Sequence, residues 1–405
     1  MLERPCAPDQ TPRTFALHGV RDAFFARVAP RLIEVMRAHG YDQDPEYGDE
    51  TNIVFYFPGP ERPYGFFRRG KRNFVIAVAQ MPPMAALPAT MPRPFYWVVT
   101  ETAANLGALF VPTPEGERLC FITPERGYYS VQTTPETFAE ALFVAIEPLA
   151  RARLLLHFEI AFDLPEAVWE RAAPVREQIR QAGQWLHARG LLPDPCDDED
   201  IPPKTRSFLW HMFRITGISY GNMSARDPEG AGLWITASGI DKARIDPHGG
   251  DVMLITGVDP ETSLIRVRMP VHLEGRLRHR RPSVDSAGLW WVYQAFPQIG
   301  WMLHFHGDVV DTEGTVLTDF NYPCGTDLEG QALVRGFGLV DNPALAVVRM
   351  PFHGCWASGG VTDNGFERVY AELTRRGTVS TPPLSTVGLL SVDEIRALAG
   401  VVRRH

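Results

Sequence analysis

A run of acidic residues bracketed by prolines, Pro193-Asp194-Pro195-Cys196-Asp197-Asp198-Glu199-Asp200, divides the chain in two. Such a stretch buries no apolar face and suits a solvated linker. A cation site there would want the spaced glycine and bidentate partner of a calcium loop, and neither accompanies it. Size points the same way: one hydrophobic core stops growing at roughly 250–300 residues, and this chain has 405. We expect a domain over residues 1–165, a helix and acidic linker over 166–203, and a second domain over 204–405.

In the first part, residues 16–39 place Phe24, Phe25, Val28, Leu32, Val35 and Met36 at helical spacing and stop at His39-Gly40, which predicts a surface helix. The β-rich runs 52–57, 73–79, 95–100, 106–111 and 118–123 are separated by proline and glycine, and predict one antiparallel sheet. Thr134-Pro135-Glu136 has the residue types of a helix start, with the helix running towards Ala150. An amphipathic segment over 166–191 follows, ending in Arg189-Gly190. This is an α+β pattern. No repeat and no family resemblance is identified over residues 1–195, and the pattern assigns that region no function.

Hydrophobic residues at 45% and charged residues at 22% fit a globular protein. A net charge of −8 without a long basic run argues against a nucleic-acid surface, which needs excess lysine and arginine. The apolar stretches at 141–146 and 154–156 are broken well before the ~18 residues of a membrane span. The expectation is a cytoplasmic protein acting on a small molecule, with neither nucleic acid nor membrane as partner. Cys6, Cys120, Cys196, Cys324 and Cys355 form no Cys-x-x-Cys pair, so reduced packing cysteines are expected.

The chemistry concentrates in Leu303-His304-Phe305-His306-Gly307, an apolar run of strand character. Residues two apart on a strand project from one face, so His304 and His306 can present two imidazoles to one ion. A catalytic divalent site typically uses three protein ligands and leaves a position open. Among the other histidines His353 is the best candidate, because Phe352-His353-Gly354 follows the strand-like run Leu345-Ala346-Val347-Val348. On spacing alone, two histidines on an exposed strand face remain the alternative.

Several further motifs occur in order over 217–359. Gly221-Asn222-Met223-Ser224 resembles the Gly-Asn-hydrophobic-Ser turn of the class II aldolase/adducin-like family, and Ile235-Thr236-Ala237-Ser238-Gly239 resembles its second glycine loop. Pro282-Ser283-Val284-Asp285 is similar to its Pro-Ser-Ser-Glu/Asp element, and His353-Gly354-Cys355-Trp356-Ala357-Ser358-Gly359 to its His-Gly-x-aromatic-Ala-x-Gly element. The likeness is greatest to the L-ribulose-5-phosphate 4-epimerase branch.

The resemblance implies a three-layer α/β/α fold with a mainly antiparallel central sheet, and a homo-oligomer, tetrameric in the family. It implies metal ligation by His304, His306 and His353, with Zn2+, or Mn2+ or Co2+, as the ion. Asn222, Ser224, Ser238, Gly239 and Ser283 would bind substrate. Asp285 would act as acid/base, with Tyr322 a further catalytic candidate alongside Asp308 and Asp319. The implied reaction is retro-aldol cleavage or enolisation of a sugar-phosphate-like or keto-acid substrate, possible because a divalent cation stabilises the enediolate. Two alternatives share the fold: a non-haem iron (Fe2+) oxygenase or decarboxylase, and a metal-free adducin-like interaction module. For Asp285 a helix cap is the competing role. Val284 stands where the family has a second serine, so phosphate recognition would fall to another group, such as Arg276, Arg278, Arg280 or Arg281.

Overall fold

The computed structural model describes residues 13–59, 73–155, 157–193, 220–259, 261–277, 280–385, 390–398 and 403–404. The acidic run at 194–200, the expected start of the second domain, Cys6, Cys196 and Arg278 lie outside the described residues. The chain forms two compact units, each assembled from separate segments: 1–124 with 130–151 and 388–396, and 125–129 with 152–387 and 397–405.

The first unit carries a sheet in the order Asp42–Gln43, Thr14–Gly19, Ile53–Phe57, Phe74–Gln80, Leu106–Thr113, Gly116–Ile122, Tyr128–Gln132. Pairing is parallel as far as Leu106–Thr113, which then forms an antiparallel hairpin with Gly116–Ile122. The sheet is thus mixed and largely parallel, where the sequence suggested an antiparallel one. The reason is visible in Ile53–Phe57, buried at every position: a parallel strand is covered on both faces and reads as an unbroken apolar run.

Three local expectations change. Residues 14–19 are a strand, and the helix begins at Ala23, with the Asp22 carboxylate accepting from the Phe25 N–H at 2.9 Å. Residues 95–100, expected as a strand, lie inside the helix Arg93–Thr102. Of its buried positions, Phe95, Val98, Val99 and Thr102 follow the helical period, with Tyr96 and Glu101 buried beside them, and that period outweighs aromatic and β-branched character. The next helix starts at Phe138, because Thr134–Thr137 is spent in a turn closed by the Thr134 N–H on the Thr137 hydroxyl.

The second unit is built on a sheet in the order Arg403–Arg404, Val316–Leu317, Val347–Met350, Gly354–Gly360, Ile299–Phe305, Asn222–Arg226, Leu233–Thr236, Val252–Asp259, Leu264–Arg268, His157–Ala161. Its interior pairs are antiparallel, and parallel pairs occur only towards the two ends, as the mainly antiparallel expectation required. The amphipathic segment after residue 165 is two helices, Glu166–Arg171 and Ala173–His187, broken at Ala172 with Pro174 in the second helix's first turn.

That segment is not a linker. Val175, Ile179, Ala182 and Leu186 are buried, and the fully buried Arg176 donates to the Pro247 carbonyl at 2.7 Å and to the Trp169 carbonyl. Residues 152–193 therefore pack with the second unit, a correction to the boundary at 165. Among the described residues no helix is long and apolar enough to cross a membrane.

Candidate metal centre

Strand Ile299–Phe305 lies in the middle of the second sheet, and its register sets His304 beside Trp356 on one neighbour and Asn222 on the other. The Trp356 ring stacks on His304 with centroids 3.9 Å apart and planes at 7°. His306 follows the strand end, where its N–H donates to the Leu191 carbonyl at 3.2 Å and Tyr220 stacks on its ring at 4.8 Å. The two imidazoles meet as the period-two argument required: Nε2 to Nε2 is 3.1 Å. Gly221 lets the neighbouring backbone pack closely against that of His304. It sits at φ +84°, and a Cβ there would lie 2.5 Å from the His304 carbonyl oxygen.

His353 arrives from the turn between Val347–Met350 and Gly354–Gly360. The preceding Phe352 holds φ +57°, a strained value for a bulky side chain. It is fixed there by its N–H on the Pro383 carbonyl at 2.6 Å and by stacking with Tyr129 at 4.1 Å. The three imidazoles are buried, at 0, 1 and 1% exposure for His304, His306 and His353. One ligand atom from each lies within 4.8 Å of the others.

These side chains fit a divalent cation. Burial, reinforced by mutual repulsion, drives His304 and His306 well below the usual imidazole range, and burial pushes His353 down to about 3. All three are thus neutral at pH 7, the form that ligates. His304 Nδ1 lies 3.1 Å from the Cys355 carbonyl, so it carries the proton and leaves the Nε2 lone pair facing its neighbours. The backbone of Glu125 faces His306, and that of Tyr322 faces His353.

Asp285 joins this group from the loop that Ser283 N–H on the Thr236 carbonyl (2.9 Å) and Ser238 N–H on the Arg281 carbonyl (2.8 Å) tie to the sheet. Its Oδ2 stands 4.0 Å from His304 Nε2 and accepts from Asn222 Nδ2 at 2.5 Å and Ser283 Oγ at 3.5 Å. Although it occupies the cap position of helix Ser286–Ala295, its side chain makes no capping bond, which removes the helix-cap alternative. Burial raises its carboxyl to about 6, opposed chiefly by the Lys242 ammonium. Lys242, also buried, is itself pushed down to about 8 by desolvation, with Asp285 opposing.

The remaining expected residues divide. Asn222, Ser283 and Asp285 are brought together, as above. Ser224 is fully buried with its hydroxyl 3.2 Å from the Tyr293 hydroxyl, a core contact. Ser238 and Gly239 are exposed at the turn after Leu233–Thr236, outside the buried cluster. Tyr322 is buried and approaches His353 through its backbone. Asp308 is held in a two-pronged ion pair by Arg349, both contacts 2.7 Å, and Asp319 is paired with Arg335 at 2.8 Å. Arg280 is paired with Asp251 at 3.2 Å.

Four neighbours of the cluster were not anticipated: Lys242, Cys324, Glu125 and Glu329. Cys324 Sγ lies 3.3 Å from His353 Nε2 and 3.5 Å from Glu125 Oε1, so it is not simply a packing cysteine. Glu329, fully buried, accepts from the Gly325 N–H at 2.7 Å. The one local signal, Thr326-Asp327-Leu328-Glu329 ahead of a helix, is that of a capping box; Thr326 does cap, accepting from the Glu329 N–H at 3.3 Å.

Residues 207–318 match the family described as the Class II Aldolase and Adducin N-terminal domain. Residues 207–318 are therefore class II aldolase/adducin-like; this segment includes Asp285, His304 and His306 and ends before His353. Among solved structures the chain is similar to YgbL from Klebsiella pneumoniae, at 16% identity and TM-score 0.31 over 49% of this chain and 83% of that one. YgbL from Escherichia coli gives 14% and 0.34 over 51% and 86%, and an L-fuculose 1-phosphate aldolase 17% and 0.32 over 56% and 94%. Likeness this distant carries no argument about chemistry. No curated protein matches the chain.

Proposed function

We propose that this protein is a divalent-metal-dependent lyase or epimerase that acts by retro-aldol cleavage or enolisation on a sugar-phosphate-like or keto-acid substrate. The observation that carries the reading is the meeting of three buried, neutral imidazoles, His304, His306 and His353, beside a carboxylate raised towards neutrality, Asp285. His304, His306 and His353 would hold the ion, with Zn2+, Mn2+ or Co2+ suited to imidazole ligands. When bound, a divalent cation supplies Lewis-acid stabilisation of the negative charge developing on a substrate carbonyl oxygen.

The protein's own groups supply the proton handling. Asp285 takes a proton from the substrate, either from the carbon next to the carbonyl or from the hydroxyl whose carbon–carbon bond breaks, and returns it after the carbon skeleton has rearranged. A base serves best when its pKa lies near the working pH, and burial brings Asp285 to about 6. Asn222 and Ser283 orient its Oδ2, leaving Oδ1 without a hydrogen-bond partner and open to a proton. Lys242 limits how far the carboxyl rises, so it is still ionised at pH 7.

Elemental analysis of the purified chain beside His304→Ala tests this reading, followed by a screen of keto sugars, their phosphates and keto acids. Stoichiometric zinc, manganese or cobalt lost in the variant supports it. Iron redirects the search to oxygenation, and a chain that takes up no metal is an interaction module.

A further inference from the structure

Beyond the histidines lies a second group, two of whose members the proposed chemistry does not use. One ligand atom from each of Asp285, Cys324 and Glu329 lies within 4.8 Å of the others. Asp285 and Glu329 are 4% and 0% exposed, yet Asp285 Oδ1 and Glu329 Oε1 have no hydrogen-bond partner. Two carboxyl groups beside a thiol, with carboxylate oxygens left unpaired, are a costly arrangement, because a buried charge gives up its hydration and finds no replacement. The charge of Lys242 acts on Asp285. After burial, the largest cause for each, the neighbouring acids repel: Asp285 and Glu125 press on Glu329, against the Gly325 and Thr326 backbone groups that favour its carboxylate, and Asp285, Glu125 and Glu329 press on Cys324.

We propose that Asp285, Cys324 and Glu329 form a second divalent-cation site adjoining the histidine site, with Asp285 standing between the two. One of its oxygens lies within 4.8 Å of the ligand atoms of Cys324 and Glu329, and its Oδ2 is 4.0 Å from His304 Nε2. Paired ions in such centres sit roughly 3.5–4 Å apart and share a bridging ligand, the position Asp285 occupies. A thiol with two carboxylates selects a borderline metal such as zinc, cobalt or ferrous iron over magnesium or calcium. Cys324 gives up its proton on binding, so occupancy rises with pH. The inference rests on the histidine reading for the first ion and adds a second; Asp285 acts as the base in the singly loaded chain and is a ligand once the second ion binds.

The test loads the full-length chain with Co2+, removes free metal, and measures cobalt per chain and near-ultraviolet thiolate-to-cobalt absorption. The comparison is among wild type, Glu329→Gln, Cys324→Ser and His304→Ala. Gln keeps the shape of Glu329 and an acceptor for the Gly325 N–H, and Ser keeps the shape of Cys324, so the fold is preserved. Two cobalt ions in wild type, one in each of the first two variants, and loss of the thiolate band in Cys324→Ser are expected. One ion in wild type that Glu329→Gln leaves unchanged overturns the second site while the first stands; the carboxyls then share a proton. No cobalt in any form overturns both.

Discussion

His304 and His306 bring their Nε2 atoms to 3.1 Å although both rings are buried and neutral. With His304 Nδ1 donating to Cys355, two ring nitrogens with little else to bind face one another, and a cation between them and His353 would satisfy all three. Binding to the folded state alone adds stability as the ratio of free metal to Kd: at 100 Kd, about 2.7 kcal/mol. Thermal melts with Zn2+ against chelator should show this gain in wild type and none in His306→Ala. Equal melts with and without metal would refute it.

The metal-free chain should lose stability on acidification. Burial holds His353 at about 3 against its ordinary 6.5, so its contribution is present above pH 6.5 and is lost as pH falls towards 3; His304 and His306 act in the same direction. Asp285 runs the other way: raised from 3.8 to about 6, it contributes below 3.8 and loses that contribution as pH rises through 6. Glu329, raised well above its ordinary value by burial, acts in the same direction as Asp285; three buried imidazoles oppose these two buried carboxyls, so the urea midpoint measured in chelator should fall from about pH 7 to about pH 5. A midpoint rising over that window would contradict the neutral buried histidines.

Lys242 and Asn222 should set the acidic limb of the rate profile. Both lower Asp285, so Lys242→Met, and less so Asn222→Leu, should move that limb to higher pH, while Asp285→Asn removes most activity, by about 10²–10⁴-fold. A limb that stays put in Lys242→Met would show that Asp285 is not the titrating base.

Trp356 supports His304 from below. Trp356→Ala should cost about 3–5 kcal/mol as a buried aromatic lost to a cavity and should also weaken metal binding, since the imidazole loses the face it stacks on. Trp356→Phe should restore most of the affinity. If Trp356→Ala binds metal as tightly as wild type, the stacking is irrelevant to the site.

Much of the site is legible in the sequence because its information is local. Two histidines with period-two spacing in an apolar run share a face wherever that strand sits, and the motifs around Asn222, Asp285 and His353 repeat an order that one family uses. The parallel pairing of the first unit is hidden because a strand's partner is not written in its own residues. The helix Arg93–Thr102 is hidden because its residues favour strands by composition and a helix by period. Cys324 and Glu329 owe their character to burial beside Asp285, which their neighbours in sequence do not report, and Thr326-Asp327-Leu328-Glu329 gives an adequate local account of Glu329 as part of a helix start.

The segmented make-up of the two units bears on how the protein is synthesised. The second needs residues 125–129 from within the first half, and the first takes in residues up to Arg396. Neither unit therefore has all of its residues until those up to Arg396 have left the ribosome, although domains ordinarily fold in turn as they emerge. Expressing 204–405 alone would omit strand His157–Ala161, helix Ala173–His187 and the Glu125 backbone beside His306; that fragment should aggregate, and nascent chains halted shortly before Arg396 should remain sensitive to protease over their full length.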